Sequence, residues 1–323
     1  MHYRRLGHSG LHVSAISLGS WLTYGSRVEL ETARQCVREA VEAGVNLIDT
    51  ADIYARGAAE EALGEILPEY KRSDLVLASK AFWPMSENVN DRGLSRKHLH
   101  ESIHNSLKRL KTDYLDLYQC HRHDPNTPIR EVVEAMIDLV RRGDILYWGV
   151  SCWSAAQIVE ACFLADKLGG PRPISNQPHY SALYRKIEAE ILPTSERFGL
   201  GQIVWSPLEG GVLTGKYRGG NVPPGTRGAD EKTGRFIERW LNEETLAKVE
   251  ALGTLADEVG CKLSQLALAW TLRQPGISSA IMGASRPEQV RENVAAAEIK
   301  LSAEQLEYME KILDNRPEPV TGE

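Results

Sequence analysis

Short apolar runs recur along the chain near residues 16, 46, 76, 116, 147, 174, 203 and 280, and segments with helical periodicity separate nearly every adjacent pair. Ala15-Ile16-Ser17-Leu18-Gly19, Val45-Asn46-Leu47-Ile48, Leu75 to Lys80, Tyr114 to His121 and Ile145 to Val150 read as buried strands. Pro173–Asn176, Gln202–Trp205 and Ser279–Met282 continue the series. Between them, Leu30, Ala33, Val37, Ala40 and Val41 share one face of a predicted helix over 30–43, which Gly44 closes as the residue after the cap. A second helix over about 58–67 stops at Pro68, and a third opens at Ser95 with Leu99, Ile103, Leu107 and Leu110 on one face. Thr127 and Pro128 fit the N-cap and first position of a helix that Gly143 ends, and Ser154 with Gln157 has the capping-box pattern. Further helical segments lie near 186–198, 243–259 and 264–273, and Ser285/Glu288 and Ser302/Gln305 open two more.

Eight strands alternating with helices favour a single α/β domain over 1–323, a (β/α)8 TIM barrel rather than an open doubly wound sheet. No two units resemble each other, which excludes a tandem repeat. Gly7 and Gly10 around Ser9 predict an N-terminal β-hairpin over 1–14, and 302–315 reads as a C-terminal helix. The longest gap, before the last strand, holds a loop over 208–240 carrying Gly210, Gly211, Gly215, Gly219, Gly220, Pro223, Pro224 and Gly225. A loop so long and so rich in Gly and Pro is expected to serve as a lid.

Charge and composition narrow the partners. Lys and Arg number 38 against 44 Asp and Glu, a net charge of −6 with no basic run, so nucleic acid and anionic membrane are poor partners. The five cysteines are scattered, without zinc-finger spacing, and fit a reduced, cytoplasmic compartment. The opening MHYRRLGHSG lacks the apolar core of a signal peptide, and no run approaches the ~20 apolar residues of a membrane span. A soluble chain, with no membrane insertion and a homo-oligomer possible, is the expectation.

Candidate chemistry gathers where strands end. Asp49, Tyr54, Lys80 and His121 stand at the carboxyl ends of strands or just beyond them, positions that face one mouth in a barrel. A phenol with an unperturbed pKa near 10 needs help to exchange a proton at neutral pH. A neighbouring ammonium lowers that pKa, a carboxylate holds the ammonium in place, and an imidazole adds a second hydrogen-bonding group. Taken singly, each has a structural explanation, such as a lysine that snorkels; convergence on one mouth favours catalysis.

In order and in sequence setting these four residues resemble the catalytic tetrad of the aldo-keto reductase superfamily, and the likeness runs essentially the whole chain. The branch it most resembles contains the β-subunits of voltage-gated potassium channels and their microbial relatives. The most specific stretches are Arg92-Gly93-Leu94-Ser95-Arg96-Lys97-His98, Asp124-Pro125-Asn126-Thr127-Pro128, Tyr147-Trp148-Gly149 and Trp205-Ser206-Pro207-Leu208. His121 stands where the animal channel subunits have Asn, which favours an ordinary reductase over a purely regulatory, redox-sensing subunit. The resemblance implies NADPH across the mouth and reduction of a small carbonyl substrate, with Tyr54 as acid, Lys80 and Asp49 lowering its pKa, and His121 orienting the carbonyl. Gly19, Ser20, Trp21 and Asp49 border the implied cofactor site. Ser151, Asn176 and Gln177 would hold the nicotinamide carboxamide, and Trp205, followed by Ser206, Pro207 and Leu208, would stack on its ring. Gly210, Gly211 and Gly215 would admit the pyrophosphate, Lys216 and Arg227 would pair with phosphate, and closure of 208–228 would make cofactor release slow. Gly283, Ser285 and Arg286 at a helix start suit an adenosine 2′-phosphate, and Gln289, Glu292 and Asn293 fall where relatives touch adenine. Trp21, Tyr24, Phe82, Trp83 and the loop 85–92 would wall a substrate pocket that favours small apolar aldehydes or ketones over charged sugars.

Other motifs weigh less. Gly210 to Lys216 imitates a P-loop, but Tyr217 replaces the Ser or Thr that binds magnesium. His100/His104 and His121/His123 lack a Cys or carboxylate at ligand spacing, so no metal is expected. No G-x-G-x-x-G supports a Rossmann site, and a Schiff-base role for Lys80 fits poorly beside Asp49 and Tyr54.

Overall fold

The computed structural model describes residues 1–25, 28–318 and 320. Strands β1 (Tyr3–Arg5) and β2 (His12–Ser14) form an antiparallel hairpin. Next, β3 (Ile16–Gly19), β4 (Leu47–Asp49), β5 (Val76–Ala81), β6 (Leu115–Cys120), β7 (Ile145–Val150), β8 (Ser175–Asn176), β9 (Gly201–Val204) and β10 (Ile277–Gly283) close into a barrel. All eight pair parallel, and β10 returns to β3 in the register Ala280↔Ile16 to Gly283↔Gly19. The fold is the (β/α)8 barrel that the alternation predicts.

Helices cover its outside: α1 (Leu30–Glu42), α2 (Ala58–Ile66), α3 (Arg96–Leu110), α4 (Ile129–Arg142), α5 (Ala155–Lys167), α6 (Ile191–Phe198), α7 (Glu243–Val259), α8 (Leu263–Leu272), α9 (Pro287–Val294) and α10 (Ala303–Leu313). Strand residues alternate between two cores. Ile16, Leu18, Ile48, Leu77, Tyr118 and Trp148 pack under the helices, whereas Leu47, Val76, Ala78, Leu117, Ile203 and Ile281 fill the barrel. Leu6 and Val13 of the hairpin join that inner cluster, and the Arg4 guanidinium donates to the carbonyls of Leu272 and Ile277. The hairpin therefore seals the amino-terminal end of the barrel and leaves the carboxyl end as the open mouth.

Local chemistry sets most helix ends as the spacing predicts. Ser95 Oγ accepts from the His98 N–H, and the Ser154/Gln157 and Ser302/Gln305 boxes are both closed. Gly44 follows α1 at φ +85°, a conformation that excludes most side chains.

Three boundaries differ from expectation. Pro128 is the N-cap of α4 rather than its first residue, because the Thr127 hydroxyl donates to Asp124 Oδ2 (2.8 Å) and cannot cap. The segment 186–198 is a short 3-10 turn (Lys186–Glu188) followed by α6. A continuous helix would drive the Pro193 ring into the carbonyl four residues earlier. At α9 the cap moves to Arg286, and Gln289 Oε1, not Glu288, accepts from the N–H groups of Ser285 (2.9 Å) and Arg286 (3.2 Å).

Candidate active site

Three neighbouring strands bring the predicted tetrad together. Asp49 ends β4, Lys80 lies in β5 and His121 follows β6, with the Tyr54 turn (Tyr54–Gly57) rising from the loop after β4. Lys80 is fully buried. Its Nζ donates to Asp49 Oδ2 (2.7 Å) and to the Thr50 carbonyl (2.7 Å), and sits 3.4 Å from the Tyr54 hydroxyl. Gln177 Nε2 donates to the other carboxylate oxygen of Asp49 (2.8 Å), so both oxygens are engaged. The His121 ring meets the Tyr54 ring edge-on at 5.7 Å, and its Nδ1 is buried without a hydrogen-bond partner among the described residues.

Electrostatics assign protonation states. Burial alone would lower the Lys80 pKa, but the charges of Asp49 and then Tyr54 outweigh it and the net shift is upward. Burial raises the Tyr54 pKa, and Lys80 offsets only part of that rise. The Lys80 ammonium does pull the phenol's pKa downward, as expected of a neighbouring cation, yet desolvation of the phenolate costs more and the net shift is upward. Burial, then Lys80 and Arg122, hold His121 well below the ordinary imidazole range, so it is neutral. At neutral pH the site contains a phenol, an ammonium, a carboxylate and an uncharged imidazole.

Around this centre the structure sorts the other predicted residues. Ser151 Oγ donates to the Gln177 carbonyl (2.8 Å), and both side chains face into the barrel mouth. Asn176 does not: its Nδ2 donates to Gln202 Oε1 on the helix-facing side of the sheet. Adjacent strand residues point to opposite faces, so a mouth that takes Gln177 excludes Asn176. Tyr24 is also displaced, being buried (1% exposed) against Cys36 of α1 rather than in the mouth. Trp21, Phe82 and Trp83 do border the opening. Phe82 meets Trp83 edge-on at 5.1 Å, and Trp83 meets His121 at 6.3 Å.

Trp205 stacks on His179 (4.2 Å, 12°), which stacks in turn on Tyr184 (4.2 Å, 15°). His179 Nε2 lies 2.7 Å from Glu209 Oε1, tying Trp205 to the start of the loop 208–240. Ser20 Oγ donates to Thr50 Oγ1 beside the β4 end, and Gly19 pairs with both Gly283 and Asp49 along the rim. Ser206 is left-handed at φ +54°, and Pro207 and Leu208 lead from it into the turn Glu209–Thr214. Gly211 has φ +103°, and a Cβ there would meet Lys216 Nζ at 2.8 Å, so only glycine lets that backbone and ammonium converge. Partial burial, then Arg227 and Arg286, lower the Lys216 pKa. Two guanidinium groups near enough to act on this ammonium make a setting suited to an anion. Gln289 caps α9, Asn293 is buried on the same helix, and Glu292 accepts from Lys262 Nζ (2.6 Å) and Ser264 Oγ (2.9 Å).

Contacts across the mouth were missed by sequence reasoning. Phe236 of the loop 208–240 meets Trp21 edge-on at 5.3 Å, and the Arg227 guanidinium lies 5.3 Å from the same ring. This loop thus touches the β3 rim, a pairing that no local pattern encodes. His179 had a usable signal, since it follows Gln177 by two and shares its face. His100 and His104 accept from Arg142, and among the described residues no group of three His, Cys, Asp or Glu could hold a metal ion.

The sequence profile of the Aldo/keto reductase family matches residues 15–314, the whole barrel that carries these residues. The chain belongs to the aldo/keto reductase family. Among curated proteins this reductase-family chain is 42% identical over 322 residues to a probable voltage-gated potassium channel subunit beta of Oryza sativa subsp. japonica, covering 98% of both. It is 43% identical over 322 residues to the protein of the same description from Arabidopsis thaliana, again covering 98% of both. A putative voltage-gated potassium channel subunit beta of Schizosaccharomyces pombe is 41% identical over 324 residues, covering 98% of this chain and 94% of that one. Membership of this family makes oxidoreductase chemistry the activity to be explained. No helix among the described residues is long and apolar enough to cross a membrane.

Proposed function

We propose that the protein reduces aldehydes or ketones to alcohols with NADPH. The observation that carries this reading is the Lys80 ammonium bridging Asp49 Oδ2 (2.7 Å) and the Tyr54 hydroxyl (3.4 Å) at the barrel mouth. The donor set fits a dinucleotide: Trp205 offers an aromatic platform, Ser151 and Gln177 offer amide-matching groups beside Asp49, and Lys216, Arg227 and Arg286 offer charge for phosphates. When bound, the reduced nicotinamide supplies the hydride. Tyr54, kept protonated by burial, gives its phenolic proton to the carbonyl oxygen as negative charge develops there. Lys80 stabilises the phenolate left behind, and Asp49 keeps Lys80 charged and fixed. Neutral His121 donates a hydrogen bond that orients the carbonyl without competing as an acid. These interactions strengthen as charge shifts, which is how binding lowers a barrier.

Fluorescence titration of the tryptophans with NADPH and NADH, followed by a panel of aldehydes, tests the proposal. Saturable binding that favours NADPH, with aldehyde-dependent oxidation, is expected; absence of dinucleotide binding overturns it. The descriptions of the relatives favour a second reading, a regulatory channel subunit that uses the same tetrad as a redox sensor. Tight NADPH binding with negligible turnover across the panel, and a stable complex with a channel's cytoplasmic portion, would select that reading.

A further inference from the structure

Arg122, the residue after His121, is an unneutralised cation at the mouth. Its Nη1 donates to the His121 carbonyl (2.5 Å) and lies 3.4 Å from Ser151 Oγ, and its guanidinium carbon sits 5.8 Å from the centre of the Trp83 ring. Among the described residues no carboxylate lies within ion-pair distance of it and none accepts a hydrogen bond from its Nε or Nη2, since its two hydrogen-bond contacts are both through Nη1. Arg4 donates to backbone carbonyls alone among the described residues, but several other arginines withdrawn from solvent meet a carboxylate. Arg72 meets Asp116, Arg109 meets Glu60, and Arg185 and Arg273 meet Glu188 and Glu310. A half-buried guanidinium without a counter-ion has lost part of its hydration with no opposite charge to offset it, and its planar fork matches a carboxylate. Its charge reaches the reacting groups. After burial and Lys80 it helps to hold His121 low, and it pulls against the burial that raises Tyr54.

We infer that Arg122 is a specificity-determining residue that binds a carboxylate on the substrate, so that the favoured carbonyl compounds are aldehydes or ketones bearing an acid group on a short apolar or aromatic spacer. The spacer lies against Trp83, whose ring neighbours both Arg122 and His121 and meets Phe82 edge-on, and the carbonyl reaches the Tyr54 hydroxyl. The expectation of apolar substrates keeps its aromatic wall and gains a charged end. This inference rests on the reductase reading above, and the test separates the two.

The probes are 4-carboxybenzaldehyde and its methyl ester, which differ in charge at one end of the same ring. The ratio of kcat/KM for acid over ester is expected to fall at least about tenfold in Arg122→Met, with partial recovery in Arg122→Lys, which keeps the charge but loses the fork. A second arm needs no turnover. Binding of 4-(hydroxymethyl)benzoate, read from Trp83 fluorescence, is expected to weaken about tenfold in Arg122→Met and to weaken with salt in the wild type. An unchanged acid-to-ester ratio, or equal loss for both probes, overturns the inference. So does benzoate affinity that ignores both salt and the substitution. If the wild type reduces neither aldehyde, the reductase reading fails, and the binding arm still decides whether Arg122 is a carboxylate site.

Discussion

Two lysines in this molecule meet opposite fates. Lys80 is enclosed at the barrel mouth with Asp49 and the Thr50 carbonyl, and its partners raise its pKa. Lys216 stands at the lid with Arg227 and Arg286, and its pKa is lowered. The first lysine has its counter-charge within the chain, which under the proposed reductase reading holds the proton donor in place. The second has like charges acting on it, an effect that a phosphate group would offset. On that reading a buried ion pair marks the chemistry, and like charge marks the grip on a ligand.

The contrast is broken most severely at the phenol. Tyr54→Phe is expected to slow carbonyl reduction by about 10²–10⁴, with NADPH titration showing the dinucleotide still bound; full turnover would remove Tyr54 from the mechanism. Lys80→Met tests whether the first cluster is self-contained. It leaves Asp49 buried without its cation and is expected to cost about 3–5 kcal/mol in urea unfolding, much of which a double variant with Asp49→Leu should restore. Wild-type stability in the single variant would show that the pair is solvated.

A carboxylate behind the mouth sharpens the same comparison, because it is buried beside like charge. Ser102 Oγ donates to Asp52 Oδ2 (2.9 Å), Oδ1 has no hydrogen-bond partner among the described residues, and burial followed by repulsion from Glu60 pushes the pKa up to about 7. Between about pH 4 and 7 the folded chain keeps a proton that the unfolded chain has released, so this group's contribution to stability falls as pH rises across that window. Asp52→Asn should therefore stabilise the protein relative to wild type by about 2–4 kcal/mol more at pH 8 than at pH 5, as read from denaturant curves. Equal effects at both pH values would mean that Asp52 is ionised throughout. The smallest expected effect belongs to the lid cluster. Arg286→Leu, on an exposed position, should leave stability within about 0.5 kcal/mol and lower the preference for NADPH over NADH about tenfold, or 1.4 kcal/mol. An unchanged ratio in parallel titrations would detach this cluster from the 2′-phosphate.

The barrel and its tetrad were legible because both depend on period and position. Strands buried on two faces give apolar runs, and their carboxyl ends must share a mouth, so Asp49, Lys80 and His121 could be placed together across wide gaps in the chain. Face assignment was harder. In a strand as short as Ser175–Asn176 there is no alternation to count, and the reading put Asn176 beside Gln177 although the pleat sends them to opposite sides. Tyr24 failed for a related reason, since a loop aromatic near the rim can turn inward to α1. Phe236 on Trp21 and Glu209 on His179 join distant segments through lid geometry, which no local spacing reveals. The pKa of Tyr54 required the structure as well, because whether desolvation or Lys80 prevails depends on depth.

The circular strand order divides labour along a diameter. Asp49, Lys80 and His121 come from the arc β4, β5 and β6, whereas Ser151, Gln177, Trp205 and Gly283 come from β7 through β10, next to β3. Under the proposed reductase reading, loops over the first arc shape what is admitted, while the remaining strands present the reagent.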